Sequence, residues 1–486
     1  MVNFRSSAGR NLLYYIVLLG LFVAGTWFIL ATGAKFNSRS APVNSLESPA
    51  ALTSSSTTAA EPSTGQAYLG RIFKENLRTS LSILLLQIIV IIVVAKMFAE
   101  LFRRIGQPPV MGEMIAGIVL GPSVVGLISP PTMAFLFPLS SMATLGLLSQ
   151  LGVVLFMLVV GIELDIEHLR AKASAAIMVS HASIVVPFFL GASLSLAIYP
   201  ILAPANTSFN AFALFMGIAM SITAFPVLAR ILEDRGLKQT RLGSMAIACA
   251  AVDDVTAWCL LAIVIAIAKS NGLGASIATL VLTLLFVGVM LFLVKSHIQK
   301  LISVETERHS KGLLAGILAF VFACALITEI IGIHALFGAF LAGVVMPSDA
   351  NFRTFLKEKL EAFSSAALLP LFFAFTGLRT QISLLNDWAS WLICLGIIIV
   401  AVAGKLGGSM FAARWTKMSW RDSFSIGVLM NTRGLVELVV LNIGYDLGIL
   451  SGRIFAMMVI MALATTFMTA PLLSLLKLKK ADLHRV

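Results

Sequence analysis

The chain has 486 residues, 59% of them hydrophobic and only 12% charged, with a mean hydropathy of +0.97. One water-soluble core of this length could not hide so much apolar surface, so a soluble globular protein is excluded and a polytopic membrane protein is indicated. The formal charge of +12 arises from Lys and Arg clusters between apolar runs, the distribution of cytoplasmic loops and not of a nucleic-acid-binding face.

The first apolar run, about residues 11–32, follows Arg5 and Arg10 and is long enough to span a bilayer. Segment 1–35 therefore reads as an uncleaved membrane helix in preference to a signal-like segment. Residues 36–75 turn rich in Ser, Thr, Ala and Pro, the composition of a disordered linker that buries too little to offset its ordering entropy.

Apolar runs then recur at about 81–102, 110–125, 143–163, 174–198, 211–232, 242–268 and 275–294. Others follow at about 313–333, 336–346, 366–378, 388–413, 424–445 and 454–476. They predict an all-α protein of about 13 core helices plus the N-terminal one, grouped as a first unit 76–270, a linking helix 271–300 and a second unit 301–476. Residues 477–486 form a short basic tail. The four cysteines lie inside apolar runs without a CxxC pair and read as small buried residues.

The grouping rests on internal similarity. GEMIAGIVLGPS from Gly112 lines up with GAFLAGVVMPS from Gly338, and LGVVLFMLVVGIELDI from Leu151 lines up with ALLPLFFAFTGLRTQI from Ala367. An odd number of crossings between matching helices turns the second unit upside down, the inverted repeat of many secondary transporters. The basic stretches RILEDRGLKQTR, FRTFLKEK, RWTKMSWR and KLKKADLHR fall on one side of that count. Both termini are therefore expected to be cytoplasmic.

Three ionisable residues interrupt the apolar runs: Asp253 and Asp254 in AIACAAVDDVTAWCLLAIVIAIA, and Lys405 in CLGIIIVAVAGKLGGSMFAA. A charge at the bilayer centre costs at least about 2.5–3.5 kcal/mol and persists mainly where it is used. Neighbours on a helix point about 100° apart, so one aspartate can meet an ion path while the other meets a second helix.

Two helices also look broken at mid-length. In MSITAFPVLARIL, Pro226 removes a backbone donor and frees peptide groups from Ser221 past Thr223. In LMNTRGLVELVVL, the residues Asn431, Thr432, Arg433 and Gly434 offer a second break, and Thr223 overlays Thr432. A packing kink explains one such break. Two at matching places, each near a charged membrane helix, point to an ion site, because irregular backbone in lipid must line a cavity or be buried in protein.

Weaker candidates have bland readings. Arg433 and Glu437 are four apart on one helix, the spacing of a structural ion pair. Glu329 precedes the turn IGIH, whose His334 is either structural or a pH sensor at the outer face. Glu113, Glu163, Asp165, Glu233 and Asp234 lie near helix ends, where a solvated terminus is the default. The sequon at Asn206 falls in a predicted outer loop, and its three residues recur by chance. There is no HExxH or GxSxG motif, so no enzyme is expected, and no cofactor beyond the transported ions.

The strings GQPPVMGEMIAGIVLGP, SITAFPVLARILEDRGL, ACAAVDDVTAW, IGIHALFGAFLAGVVMP, LPLFFAFTGLRTQI and NTRGLVELVVLNIG resemble the monovalent cation:proton antiporter 2 family, most closely its cation/H+ exchanger branch. The resemblance runs from about residue 106 to 476. It implies two crossed broken helices, a mobile six-helix core and a second bundle that makes a homodimer. It also implies that Asp254 binds the cation or proton, with Asp253 and Thr223 beside it, and that Lys405 is the charge partner of Asp253. The expected function is exchange of Na+ or K+ for protons at a bacterial plasma, thylakoid or organelle membrane, electrogenic if the Asp253 and Lys405 pair also moves a proton. The alternative is a potassium-selective efflux channel or gated efflux system of the same fold. The sequence ends about ten residues after its last apolar run, so regulation through a cytosolic tail or nucleotide-binding domain is not expected.

Overall fold

The computed structural model describes residues 4–37, 76, 79–163, 173–269, 273–298, 311–347, 349–361 and 363–476. Most of the predicted linker, the basic tail and Asp165 lie outside these residues, as does the side chain of Asp234. Among the described residues every regular element is helical.

In chain order the principal helices are α1 (Phe4–Asn37), α2 (Ser80–Arg104), α3 (Pro109–Leu120), α4 (Leu139–Glu163), α5 (Ala173–Leu202), α6 (Phe209–Ser221), α7 (Phe225–Asp234) and α8 (Arg241–Lys269). They continue with α9 (Leu273–Gly288), α10 (Lys311–Ile331), α11 (Ala335–Val344), α12 (Leu369–Arg379), α13 (Trp388–Val402), α14 (Gly408–Trp415), α15 (Trp420–Met430), α16 (Leu435–Asp446) and α17 (Gly452–Leu475). Among the described residues eleven helices are long and apolar enough to cross a membrane, or twelve if the bent pair α15 and α16 is one span; α11 and residues 17–33 are shorter apolar stretches.

Side-chain exposure on α2 shows what surrounds the bundle. Leu81, Leu85, Ile89, Val93, Met97 and Leu101 recur every fourth residue and are all exposed, while Gln87, Ile91, Ala95 and Ala99 on the opposite stripe are buried. An outward apolar stripe reverses the soluble pattern and is what a helix facing lipid requires. Cys249, Cys324 and Cys394 are buried as expected, but Cys259 is exposed on the outer face of α8, so the reading of four buried cysteines fails there.

Two close helix crossings join the halves, and they are images of each other. A Cβ added to Gly117 on α3 would lie 2.6 Å from Ala374 Cα on α12, and one on Gly377 would lie 2.2 Å from the Gly117 carbonyl carbon. In the other crossing, a Cβ on Gly343 of α11 would lie 2.3 Å from the Leu158 oxygen on α4, and one on Gly161 would lie 2.2 Å from the Phe340 oxygen. In the sequence alignment Gly117 matches Gly343 and Gly161 matches Gly377, so the repeat seen in the letters returns as a reciprocal pair of contacts.

The peripheral acidic residues are largely accounted for by pairing. Glu113 meets Lys96 at 3.0 Å, Glu163 meets Lys357 at 2.5 Å and Glu233 meets Lys238 at 3.9 Å. On the far side of the bundle Arg379 holds Asp446 at 2.7 Å and Asn442 Oδ1 at 3.1 Å, tying α12 to α16.

Candidate functional site: a buried charge network at two helix breaks

The first break lies between α6 and α7. Pro226 sits in the first turn of α7, where its missing N–H costs nothing, and Ile222 and Ala224 are extended. The second break lies between α15 and α16, whose axes differ by 43°. The two breaks touch: the Ala224 N–H donates to the Thr432 carbonyl at 3.0 Å. A Cβ on Gly434 would fall 2.7 Å from Val227 Cγ2, so close approach of α7 is what requires glycine there.

Two cations meet the α6 end of the first break. The α6 carbonyls of Ala219 and Met220 accept from the Arg433 guanidinium at 3.0 and 2.7 Å, and the Ser221 carbonyl accepts from Lys405 Nζ. Cations at a helix C-terminus offset the negative end of its dipole. Arg433 also pairs with Glu437 at 3.2 Å, both fully buried, and its peptide group exchanges hydrogen bonds with Thr466 Oγ1. Arg433 therefore stitches the two breaks together.

Asp253 and Asp254 lie midway along α8 and are both completely buried. Asp253 Oδ1 accepts from Ser180 at 2.6 Å, and its Oδ2 accepts from Ser183 at 3.0 Å, Thr223 at 2.6 Å and Lys405 at 2.9 Å. Lys405 stands in a π-helical turn, Ala403–Gly407, that joins α13 to α14, the kind of wide turn found at functional sites. Its ammonium has three donors, and they go to Asp253, the Ser183 carbonyl at 2.9 Å and the Ser221 carbonyl.

Asp254 is the opposite case. Both of its carboxylate oxygens are buried, and neither has a hydrogen-bond partner among the described residues. An orphan carboxylate is expensive in a low-dielectric interior, so the arrangement suits a group that takes a proton or a cation from elsewhere.

The predicted site residues thus fall into two sets. Asp253, Lys405, Thr223 and Ser221 form one network, with Pro226, Asn431, Thr432, Arg433 and Glu437 at the breaks around it. Thr223 stands on Asp253: its hydroxyl oxygen lies 2.6 Å from Asp253 Oδ2 and 3.3 Å from the Met430 carbonyl, a donor to either. Its matched residue Thr432 turns inward to the Leu429 carbonyl at 2.6 Å. Glu329 and His334 form the turn before α11, where Glu329 accepts the Ala335 N–H at 2.9 Å and His334 caps the helix with φ 139°. Sequence reasoning missed Ser180 and Ser183, whose i, i+3 spacing within an apolar helix is the signal they left.

Comparison with known proteins identifies the family and the fold. Residues 88–475 match the family of sodium/hydrogen exchanger transmembrane domains. The chain is 44% identical over 408 residues to the Na+/H+ antiporter NhaS4 of Synechocystis sp., covering 83% of this chain and 99% of that one. It is 41% identical to cation/H+ antiporter 17 of Arabidopsis thaliana and 33% identical to K+/H+ antiporter 1 of Saccharomyces cerevisiae. Those alignments cover 82% and 83% of this chain but 48% and 47% of the relatives, so the chain spans about half the length of the plant and yeast proteins. The sodium proton antiporter MjNhaP1 of Methanocaldococcus jannaschii superposes with a TM-score of 0.61 at 16% identity, covering 82% of this chain and 99% of that one, which establishes a shared fold.

Proposed function

The chain belongs to the sodium/hydrogen exchanger family of cation:proton antiporters, and from that premise we propose that it exchanges monovalent cations for protons by alternate loading of Asp254. The observation that carries the reading is the Asp254 carboxylate, fully buried with both oxygens unpartnered beside two broken helices. Asp253 is already saturated by four donors and has little left to offer an arriving ion.

A hard monovalent cation is held by oxygen ligands, which Asp254, the carbonyls at the breaks and water supply. Either a proton or a cation neutralises Asp254, and the neutral core then moves past the second bundle. An empty carboxylate does not cross, because its charge is uncompensated in a low dielectric. That single rule couples the two fluxes. When the Asp253 and Lys405 pair also exchanges a proton, more than one proton moves per cation and transport is electrogenic. The protein works as a homodimer with both termini cytoplasmic, and its relatives' names supply both Na+ and K+ as substrates to offer.

The test uses acid-loaded proteoliposomes given external Na+ or K+, with and without a voltage clamp, for wild type and Asp254→Asn. Cation-dependent alkalinisation of the lumen that vanishes in the variant is the expected result, and its voltage sensitivity reports stoichiometry. Full exchange in Asp254→Asn overturns the site. A cation current without proton movement indicates the channel reading instead.

A further inference from the structure

Helix α1 lies outside both repeats, yet it packs along α5 and α6. Phe22 meets Phe188 edge-on with ring centroids 5.2 Å apart, and Ile29 is buried. A Cβ on Gly25 would fall 2.5 Å from Phe189 Cε2, so bare backbone lets the helices lie this close.

Between α1, α5 and the π-helical join of α13 and α14 lies a cavity of about 520 Å³. Its walls include Val17 and Leu21 of α1, Ala182 and Val186 of α5, and Ala403 and Gly407 of the π turn. All the lining residues but Trp415 are apolar, so the groove offers few of the two to four polar partners that an ordered water needs. The groove lies along α5 and the stretch Trp388–Trp415, both long enough to span a bilayer, and its volume falls within the roughly 300–1,000 Å³ of small-molecule sites. What reaches it there is hydrocarbon.

The same walls back onto the charge network. Ala182 precedes Ser183, which donates to Asp253, and Ala403 and Gly407 bracket Lys405. Gly404 rests on Pro187 of α5, where a Cβ would come within 2.8 Å of Pro187 Cα. A ligand in the groove would therefore brace the two segments whose separation sets the Asp253 to Lys405 contact.

One end of the groove is basic. Phe411 and Trp415 extend the lining towards exposed Arg414 and Lys417. Basic residues and a tryptophan at the end of a membrane helix mark the headgroup level and attract anionic lipid.

We propose that this groove binds one acyl chain of an anionic phospholipid, with the headgroup at Arg414 and Lys417, and that the bound chain braces the Asp253 and Lys405 pair. The site itself is independent of the transport reading, whereas its effect on exchange rests on that reading.

The test is native mass spectrometry of the full chain in detergent with phosphatidylglycerol or phosphatidylcholine, alongside exchange in vesicles of the same lipids. Gly407→Leu fills the groove, because a Cβ at Gly407 meets nothing within 4 Å. Wild type should retain one phosphatidylglycerol with about thirtyfold preference, the scale that two basic residues at a membrane surface provide. Gly407→Leu should lose it, and the pair Arg414→Gln and Lys417→Gln should lose the preference. Exchange should rise with phosphatidylglycerol in wild type and stay flat in Gly407→Leu. Undiminished retention in Gly407→Leu, an unchanged preference in the glutamine pair, or a lipid-free dimer whose second copy fills the groove would each overturn the proposal. Retention by a protein that exchanges in no lipid would support the site and count against the transport reading.

Discussion

Asp253 and Asp254 are chain neighbours with opposite surroundings: the first accepts from four side-chain donors, and the second accepts from none among the described residues. The 100° step between adjacent helical positions turns one carboxylate to α5, the first break and Lys405, and leaves the other unpartnered. One carboxylate ties the site together, while its neighbour's oxygens stay without a hydrogen-bond partner among the described residues.

This division predicts opposite effects of the same chemical change. Asp253→Asn leaves the Lys405 ammonium buried without its counter-charge and should cost about 3–5 kcal/mol, the scale of breaking one side of a buried ion pair. Asp254→Asn removes an unpaired carboxylate and no hydrogen bond, so it should unfold at the same temperature as wild type or higher while losing exchange. Thermal unfolding in detergent separates the two. Equal destabilisation would refute the division.

Thr223 gives a finer test. Its hydroxyl is one of three donors on Asp253 Oδ2, and a hydrogen bond to a charged group contributes about 1.5–3 kcal/mol. Thr223→Val keeps the shape and should lose that amount, whereas Thr223→Ser keeps the donor and should unfold near wild type. If Val and Ser behave alike in unfolding and in exchange, the hydroxyl is not holding the carboxylate.

Much of this architecture was legible in the letters, for a physical reason. Apolar runs, a proline in a helix and charges in lipid are each costly to keep unless used, so they stand out against their surroundings. Ser180 and Ser183 did not, because a serine in a membrane helix can satisfy itself on its own backbone, as Ser195 does on the Gly191 carbonyl. Which of two adjacent aspartates faces Thr223 depends on the rotation of α8, and packing sets that rotation. The matched threonines show the limit of the repeat: Thr223 reaches across to α8, and Thr432 closes its own turn.

Outside the membrane, Asp387 carries a pH dependence. It caps α13 by accepting the Ser390 N–H at 3.2 Å, and it pairs with Arg453 at 2.7 Å. The Ser390 hydroxyl chiefly, with Arg453 adding to it, holds this carboxyl below its ordinary value of 3.8. A carboxylate depressed in the folded state contributes stability that is complete above the unfolded value and is lost as pH falls through the folded one. Asp387→Asn keeps a good cap and should flatten the acid side of the melting-temperature profile relative to wild type. Parallel acid limbs for the two proteins would refute the assignment.

The two reciprocal crossings make the repeat testable by stability alone. At Gly161 and at Gly377 an added Cβ meets backbone atoms at 2.2 Å, which cannot rotate aside, so Gly161→Ala and Gly377→Ala should each cost about 1–3 kcal/mol through overpacking. Because the residues occupy matched positions, the two losses should be similar. Gly396 in α13 is the control, since a Cβ there meets nothing within 4 Å and Gly→Ala in a helix interior gains roughly 0.5–1 kcal/mol. Melting temperatures should fall for the first two variants and hold or rise for Gly396→Ala. If all three shift upward together, α3 and α4 do not cross α12 and α11 at these glycines, and the halves are joined some other way.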